Sequence, residues 1–314
     1  MSLRLTLTKL FMRLFVKTRL RRLTDPAPAR HELERAANRL FRAPPFAWYR
    51  EATLAGGHGA QRALWIETRP ATRPALANKI ILYFHGGGFI AGSPETHRKL
   101  LARLAWMTGL RICAPDYRKA PEDPFPAAVE DCVAAYKHLI QKGYRPENII
   151  LGGDSAGGGL VFSLLAEIDG VLPFPRAVFA FSPIVDLRFT SPSFDENAKN
   201  DPLLPSDRRD LVTDHYLAGA SAQNVRASPV LHRYKSTPPP AFFQFSTTEI
   251  LRDESLRMAE VLRAAGGQVT LDEWPDAPHV WVILDGLLPE ARQALRQAAE
   301  FITRQFHDET RAES

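Results

Sequence analysis

Two cysteines in 314 residues, Cys113 and Cys132, are too few to staple a fold, and they fall in segments that read as a buried strand and an amphipathic helix. Both are expected as small core residues of a cytoplasmic chain without a disulfide framework. No stretch approaches the ~20 apolar residues of a membrane span. Lys9, Arg13 and Lys17 interrupt any apolar run long enough for a secretory signal. Internal repeats and low-complexity tracts are missing too. Acid is missing locally: residues 1–24 hold Arg4, Lys9, Arg13, Lys17, Arg19, Arg21 and Arg22 and neither Asp nor Glu. The formal charge of +5 therefore resides in this segment, and the slightly acidic remainder argues against a nucleic-acid surface. Leu3, Leu5, Leu7, Leu10, Phe11, Leu14 and Phe15 interleave with the cations, the pattern of an amphipathic basic helix. It is expected to pack on its own protein, with weak peripheral contact at the inner membrane surface through residues 1–24 as the alternative.

Hydrophobic residues at 45% and charged ones at 24% suit a globular protein with a sizeable buried core. From about residue 78, short apolar runs alternate with helical patterns, the signature of a parallel sheet covered by helices. Strands are predicted at 78–84, 110–117, 148–153, 176–185, 239–246 and 268–274, and residues 50–70, with "AGGHG" as the turn, read as an antiparallel hairpin at the sheet edge. Helices are predicted at 95–107, 124–143, 156–168, 254–267 and 290–306. One polar, proline-punctuated block, residues 188–225, interrupts the alternation after a strand, where an insertion would cover a site at the carboxyl edge of the sheet.

"GGDSAG" places Ser155 in a G-x-S-x-G arrangement between an apolar strand and a helix. A serine on so sharp a turn takes a strained backbone, and neighbouring glycines remove side chains that would collide. Its hydroxyl needs a base, and the base an orienting carboxylate. Of nine histidines, His215 and His232 lie in or beside the insertion and His307 falls near the end of the terminal helix. His279 follows the last strand through "PDAPH" and is the candidate base. For the acid, Glu249 lies three residues past the strand "AFFQFS". Asp253 and Glu254 open the next helix, where acids cap backbone amides anyway. Glu249 is favoured and Asp253 stays open as the alternative; Asp276 is too close in sequence to His279. "HGGG" at 85–88, directly after a strand, and the amide of Ala156 supply donors for a developing oxyanion.

These motifs, with "DYRKAPEDPFPAAVED", "DPLL", "EILRDES" and "DAPHVW", resemble the hormone-sensitive-lipase-like family of α/β-hydrolases, the family IV carboxylesterases, over about residues 79–281. The resemblance implies an α/β-hydrolase core, a mostly parallel sheet flanked by helices, at 49–187 and 226–310. It implies an α-helical cap from residues 1–48 and 188–225. It further implies hydrolysis of small carboxylic esters with short acyl chains, without metal or cofactor. Carried over by position, the nucleophile falls on Ser155, the histidine on His279 and the oxyanion donors on Gly87, Gly88 and Ala156. His85 matches a loop-supporting histidine that transfers no proton, and Gly86 and Asp154 are read as supporting residues. Many members have Asp where this chain has Glu249; those reading E-x-L-x-D-[DE]-S use the glutamate. Whether the chain forms a homo-oligomer stays open.

Two rivals are weaker. Gly86-x-Gly88-x-x-Ala91 after a strand, with Asp116 ending the next, imitates a dinucleotide-binding unit, but Pro94 and Glu95 put the helix start too late. A non-catalytic binding module on a hydrolase scaffold would be expected to lack a member of the Ser155, Glu249, His279 set.

Overall fold

The computed structural model describes residues 2–40, 44–56, 59–68 and 76–307. Its centre is an eight-stranded sheet: β1 (Ala47–Gly56), β2 (Gly59–Thr68), β3 (Ile80–Phe84), β4 (Arg111–Pro115), β5 (Ile149–Asp154), β6 (Ala177–Phe181), β7 (Ala241–Ser246) and β8 (Val269–Trp274). Their spatial order is β1-β2-β4-β3-β5-β6-β7-β8. The hairpin β1–β2 pairs antiparallel, β2 joins β4 antiparallel, and every pairing from β4 to β8 is parallel. Of the expected hairpin turn, residues 57 and 58 lie outside the described residues.

Strands β3 to β7 are buried on both faces, as continuous β-branched and aromatic runs require, while β8 at the sheet edge is only partly buried. In β3, Ile80, Leu82 and Phe84 face one core cluster while Ile81 and Tyr83 face the other, the period of two that a pleated strand imposes. The first cluster is covered by α5 (Ala127–Gln141), α6 (Ala156–Ile168) and α9 (Arg252–Ala264), the second by α4 (Arg98–Thr108) and α10 (Pro289–His307). Cys113 and Cys132 are free thiols within the first cluster, and burial pushes both well above the usual thiol range. Because β3 to β8 run parallel, every strand-to-helix turn opens on the same edge, which brings the loops after β3, β5, β7 and β8 together.

The terminal segment forms α1 (Leu3–Phe11), a π-helical turn (Met12–Val16) and α2 (Lys17–Arg21), followed by α3 (Pro26–Leu40). Its inner side packs on the protein as expected: Leu5 is 1% exposed and joins the second core cluster, and Ser2 donates to Glu290 through its amide at 2.6 Å. No described helix is long and apolar enough to cross a membrane. The 188–225 insertion is less helical than a helical cap suggests. It holds only α7 (Ser193–Glu196), α8 (Asp210–Val212) and one π turn (Thr213–Leu217), since Pro192, Pro202 and Pro205 withhold the amides that longer helices need. Helix α4 also starts at Arg98, later than expected. Ser93 and Thr96 close a turn on each other, the Thr96 hydroxyl donating to the Ser93 carbonyl at 2.7 Å.

Candidate active site

Ser155 sits between β5 and α6 at φ 52° and ψ −121°, a left-handed conformation that costs a non-glycine residue about 1–3 kcal/mol. Three backbone bonds hold it there. Its amide donates to the Phe181 carbonyl at 2.8 Å, and its carbonyl accepts from Gly159 at 3.1 Å and Ile184 at 3.0 Å. The turn is tight enough that a Cβ on Gly157 would lie 2.0 Å from the Phe84 carbonyl, and one on Gly153 2.4 Å from that of Gly157. The following Ala156 amide opens α6, where the first amides of a helix have no intrahelical acceptor.

The loop after β3 turns beside this elbow. Gly87 and Gly88 take φ 132° and 63°, and the Gly87 carbonyl accepts from Ile90 and from Ala91, the latter at 2.9 Å. Among the described residues neither glycine amide donates to the protein. Asp154 fixes the loop. It accepts the Tyr83 hydroxyl at 2.8 Å and the Gly86 amide at 3.0 Å, and both its oxygens lie 3.2–3.3 Å from His97 Nε2. Burial would raise the Asp154 carboxyl, but His97 and the Tyr83 hydroxyl outweigh it and hold it below its ordinary value. His97 is the reciprocal case: burial lowers it and Asp154 raises it further. His85 stacks on Tyr117 at 4.3 Å between centroids, with Nδ1 2.8 Å from the Gly86 carbonyl. Burial, helped by Lys119 and His97, pushes it down to about 3, so it stays neutral.

Glu249 follows β7 and is fully buried. One oxygen accepts the Ser182 hydroxyl at 2.8 Å and the Ser246 amide at 2.9 Å; the other lies 2.6 Å from His279 Nδ1. His279 Nε2 is buried without a hydrogen-bond partner among the described residues. Burial would lower the imidazole, yet Glu249, by hydrogen bond and charge, with Asp201 and Asp154 behind it, raises it above its ordinary value. No hydrogen bond joins Ser155 Oγ to His279 Nε2; such contacts often close only around substrate.

The alternatives are engaged elsewhere. The Asp253 carboxylate accepts the Ser193 amide at 2.9 Å and pairs with Arg252, Asp276 pairs with Lys9, and His232 meets Asp169 at 3.1 Å. The imitation dinucleotide unit fails on its own terms: its glycines enter a turn and not a helix, and Asp116 is paired with Arg62 and Lys119. Sequence reasoning gave no role to Asp201, although "DPLL" contains it. Fully buried, Asp201 accepts the amides of Leu203, Leu204 and Ile250, bracing the residue next to Glu249. Burial and the Glu249 charge raise its carboxyl. The signal was there in an aspartate before proline and two apolar residues, a side chain apt to cap its own turn. His97, Ser182 and Asn197, whose side-chain amide donates to the Glu249 carbonyl at 2.8 Å, carry no local sequence signal of that kind.

A sheet in this order, with a strained serine after β5 and a carboxylate–histidine pair after β7 and β8, defines an α/β hydrolase. The chain matches a family model described as the alpha/beta hydrolase fold over residues 81–283. It is similar to an acetyl-hydrolase of Streptomyces hygroscopicus, 37% identical over 241 residues, 76% of this chain and 79% of the relative. An esterase of Acinetobacter venetianus is 32% identical over 267 residues, covering 84% of this chain and 85% of its own. Among solved structures, an esterase of the bacterial hormone-sensitive lipase family superposes with TM-score 0.88 at 34% identity, over 98% of this chain and 99% of that one. The esterase EstE5, in a crystal soaked with p-nitrophenyl butyrate, gives TM-score 0.88 at 32% identity over 98% and 100%. The chain belongs to the hormone-sensitive-lipase-like family IV carboxylesterases, and is a carboxylic ester hydrolase.

Proposed function

We propose that Ser155, Glu249 and His279 carry out this hydrolysis through an acyl-enzyme, on small esters with short acyl chains. The observation that carries the reading is the 2.6 Å contact between Glu249 and His279 Nδ1 with Nε2 left unpartnered, on the edge where Ser155 is held in its strained turn. With Nδ1–H committed to the carboxylate, Nε2 carries the free lone pair a general base needs. It takes the Ser155 proton as Oγ attacks the ester carbonyl. The amides of Gly87, Gly88 and Ala156 receive the oxyanion, and the alcohol leaves with the proton from His279. Water then attacks the acyl-serine by the same steps in reverse roles, releasing the acid.

The short-acyl preference rests on the relatives: one is named for acetyl hydrolysis and one was soaked with a butyrate ester. Two buried free thiols support a reducing, cytoplasmic setting. The division into a core at 49–187 and 226–310 and a cap at 1–48 and 188–225 is proposed on the same footing, the cap limiting the acyl and alcohol groups admitted.

Ser155→Ala is expected to abolish hydrolysis of short p-nitrophenyl esters while far-UV circular dichroism stays unchanged, and to abolish labelling by a fluorophosphonate. Wild-type turnover in Ser155→Ala would sink the assignment, and an inert serine in the wild type would favour a binding module. A rate series over acyl length checks the substrate class: rates should fall beyond a short chain.

A further inference from the structure

We propose that the outer face of α1 and the π-helical turn after it docks the protein on an anionic lipid surface. Leu3, Leu7, Leu10, Phe11, Leu14 and Phe15 are exposed, from 53% at Leu10 to 74% at Leu3, and supply half of the exposed large hydrophobic side chains among the described residues. They recur at helical spacing and so form one stripe. Isolated exposed apolar residues are ordinary, whereas a contiguous stripe marks an interaction surface.

The opposite side of the segment is already spent on the protein. Leu5 is buried in the second core cluster, Lys9 pairs with Asp276, and Lys17 donates to the carbonyls of Ala198 and Asp201 at 2.9 and 2.7 Å. Rotation that would bury the stripe would break these bonds, so it stays turned outward. Charge selects the occupant. Residues 1–24 contain no acid, and the carboxylates that meet their cations, Asp276, Glu32 and Asp207, come from elsewhere in the chain. Among the described residues Arg4 and Arg22 have no carboxylate partner, and Arg13 reaches only the Asn200 carbonyl. A second copy meeting this face across a two-fold axis would set basic residues against basic ones. Lipid phosphates complement them, and the apolar stripe would sink ~5–10 Å below the headgroups. A single short helix of this kind binds reversibly, and its electrostatic share weakens with salt.

The test is co-sedimentation of the full chain with vesicles of phosphatidylcholine alone and of phosphatidylcholine with phosphatidylglycerol, at low and high salt. The wild type is expected to pellet with the anionic vesicles, less so at high salt. Leu7→Ser/Phe11→Ser/Phe15→Ser should weaken this at least about tenfold, and Arg4→Gln/Arg13→Gln/Arg22→Gln by up to about fivefold per side chain. Both variants should keep the wild-type far-UV circular dichroism and a cooperative melting transition, which separates loss of docking from loss of folding. The proposal is overturned if the wild type stays in the supernatant, or if the serine variant pellets equally. It is also overturned if light scattering shows a dimer that the serine substitutions dissolve while vesicles capture nothing, since the occupant is then a second copy.

Discussion

The surroundings of Glu249 show how the reach of its side chain is used. The turn after β7 donates to one oxygen through the Ser246 amide, and Ser182, itself at φ 46° where β6 ends, donates through its hydroxyl. The second oxygen is thereby aimed at His279. In the sequence the capping role of acids at a helix start favours Glu249 and leaves Asp253 open as the alternative; the Ser182 and Asn197 contacts carry no such signal, since they join segments 50 to 70 residues apart. Because Glu249 and Asp201 raise His279, the imidazole stays protonated to a higher pH than an unperturbed histidine near ~6.5. A protonated base cannot accept the Ser155 proton, so kcat/KM should fall as pH drops, with its acidic limb displaced above ~6.5. Glu249→Gln removes the charge that raises the group and spoils the tautomer. Maximal kcat should fall by up to about 10⁴-fold, and the residual acidic limb should move to lower pH. A limb that stays in place, or moves up, contradicts the role given to Glu249.

Among the elements, the strands were the legible part. Each predicted parallel strand is present with ends shifted by a few residues; β3 to β7 are short apolar runs buried on both faces, and β8 is a partly exposed edge strand. The insertion was not legible in the same way, since short turns between prolines have no period at all. The glycines of "GGDSAGGG" divide between two tasks: Gly153 and Gly157 clear the turn around Ser155, while Gly158 and Gly159 abut Pro183 and Ile184 in the loop after β6, where a Cβ on Gly159 would lie 2.0 Å from the Ile184 carbonyl. The elbow is thus wedged between β3 and the end of β6. Asp154 extends the wedge sideways, tying the end of β5 to the Gly86 amide and through His97 to the start of α4. Asp154→Asn removes the charge opposite His97 and should slacken the loop that carries Gly87 and Gly88. Outright loss of an oxyanion donor costs ~10²–10³ in turnover, so a donor displaced but present should cost about 10–10²-fold in kcat, with KM little changed. Unchanged kcat would show that the loop is positioned by something else.

Across the whole molecule, the cations of the first thirty residues hold three loops at once. Lys9 pairs with Asp276, three residues before His279. Lys17 binds the carbonyls at Ala198 and Asp201, whose carboxylate accepts from Ile250 beside Glu249. Arg30 donates to the Ile90 and Ala120 carbonyls and to Glu122, bracing the loop that follows Gly88. A positive excess that suggests an external partner in a linear reading is therefore partly structural, because sequence shows charge but not which face of a helix a cation will take. Lys17 is the most demanding of the three: it is 5% exposed, and burial lowers its ammonium against the pull of Asp201. Lys17→Met fills similar space but leaves two carbonyls without their donor, at a cost of about 1–3 kcal/mol. That corresponds to a fall in melting temperature of a few degrees, at about 2–4 °C per kcal/mol. Because the same residues brace the loop behind Glu249, kcat on a short ester should fall with stability while fluorophosphonate labelling of Ser155 persists at a reduced rate. A Lys17→Met protein with wild-type melting temperature and wild-type kcat would show that the terminal helix rests on the site loops without holding them.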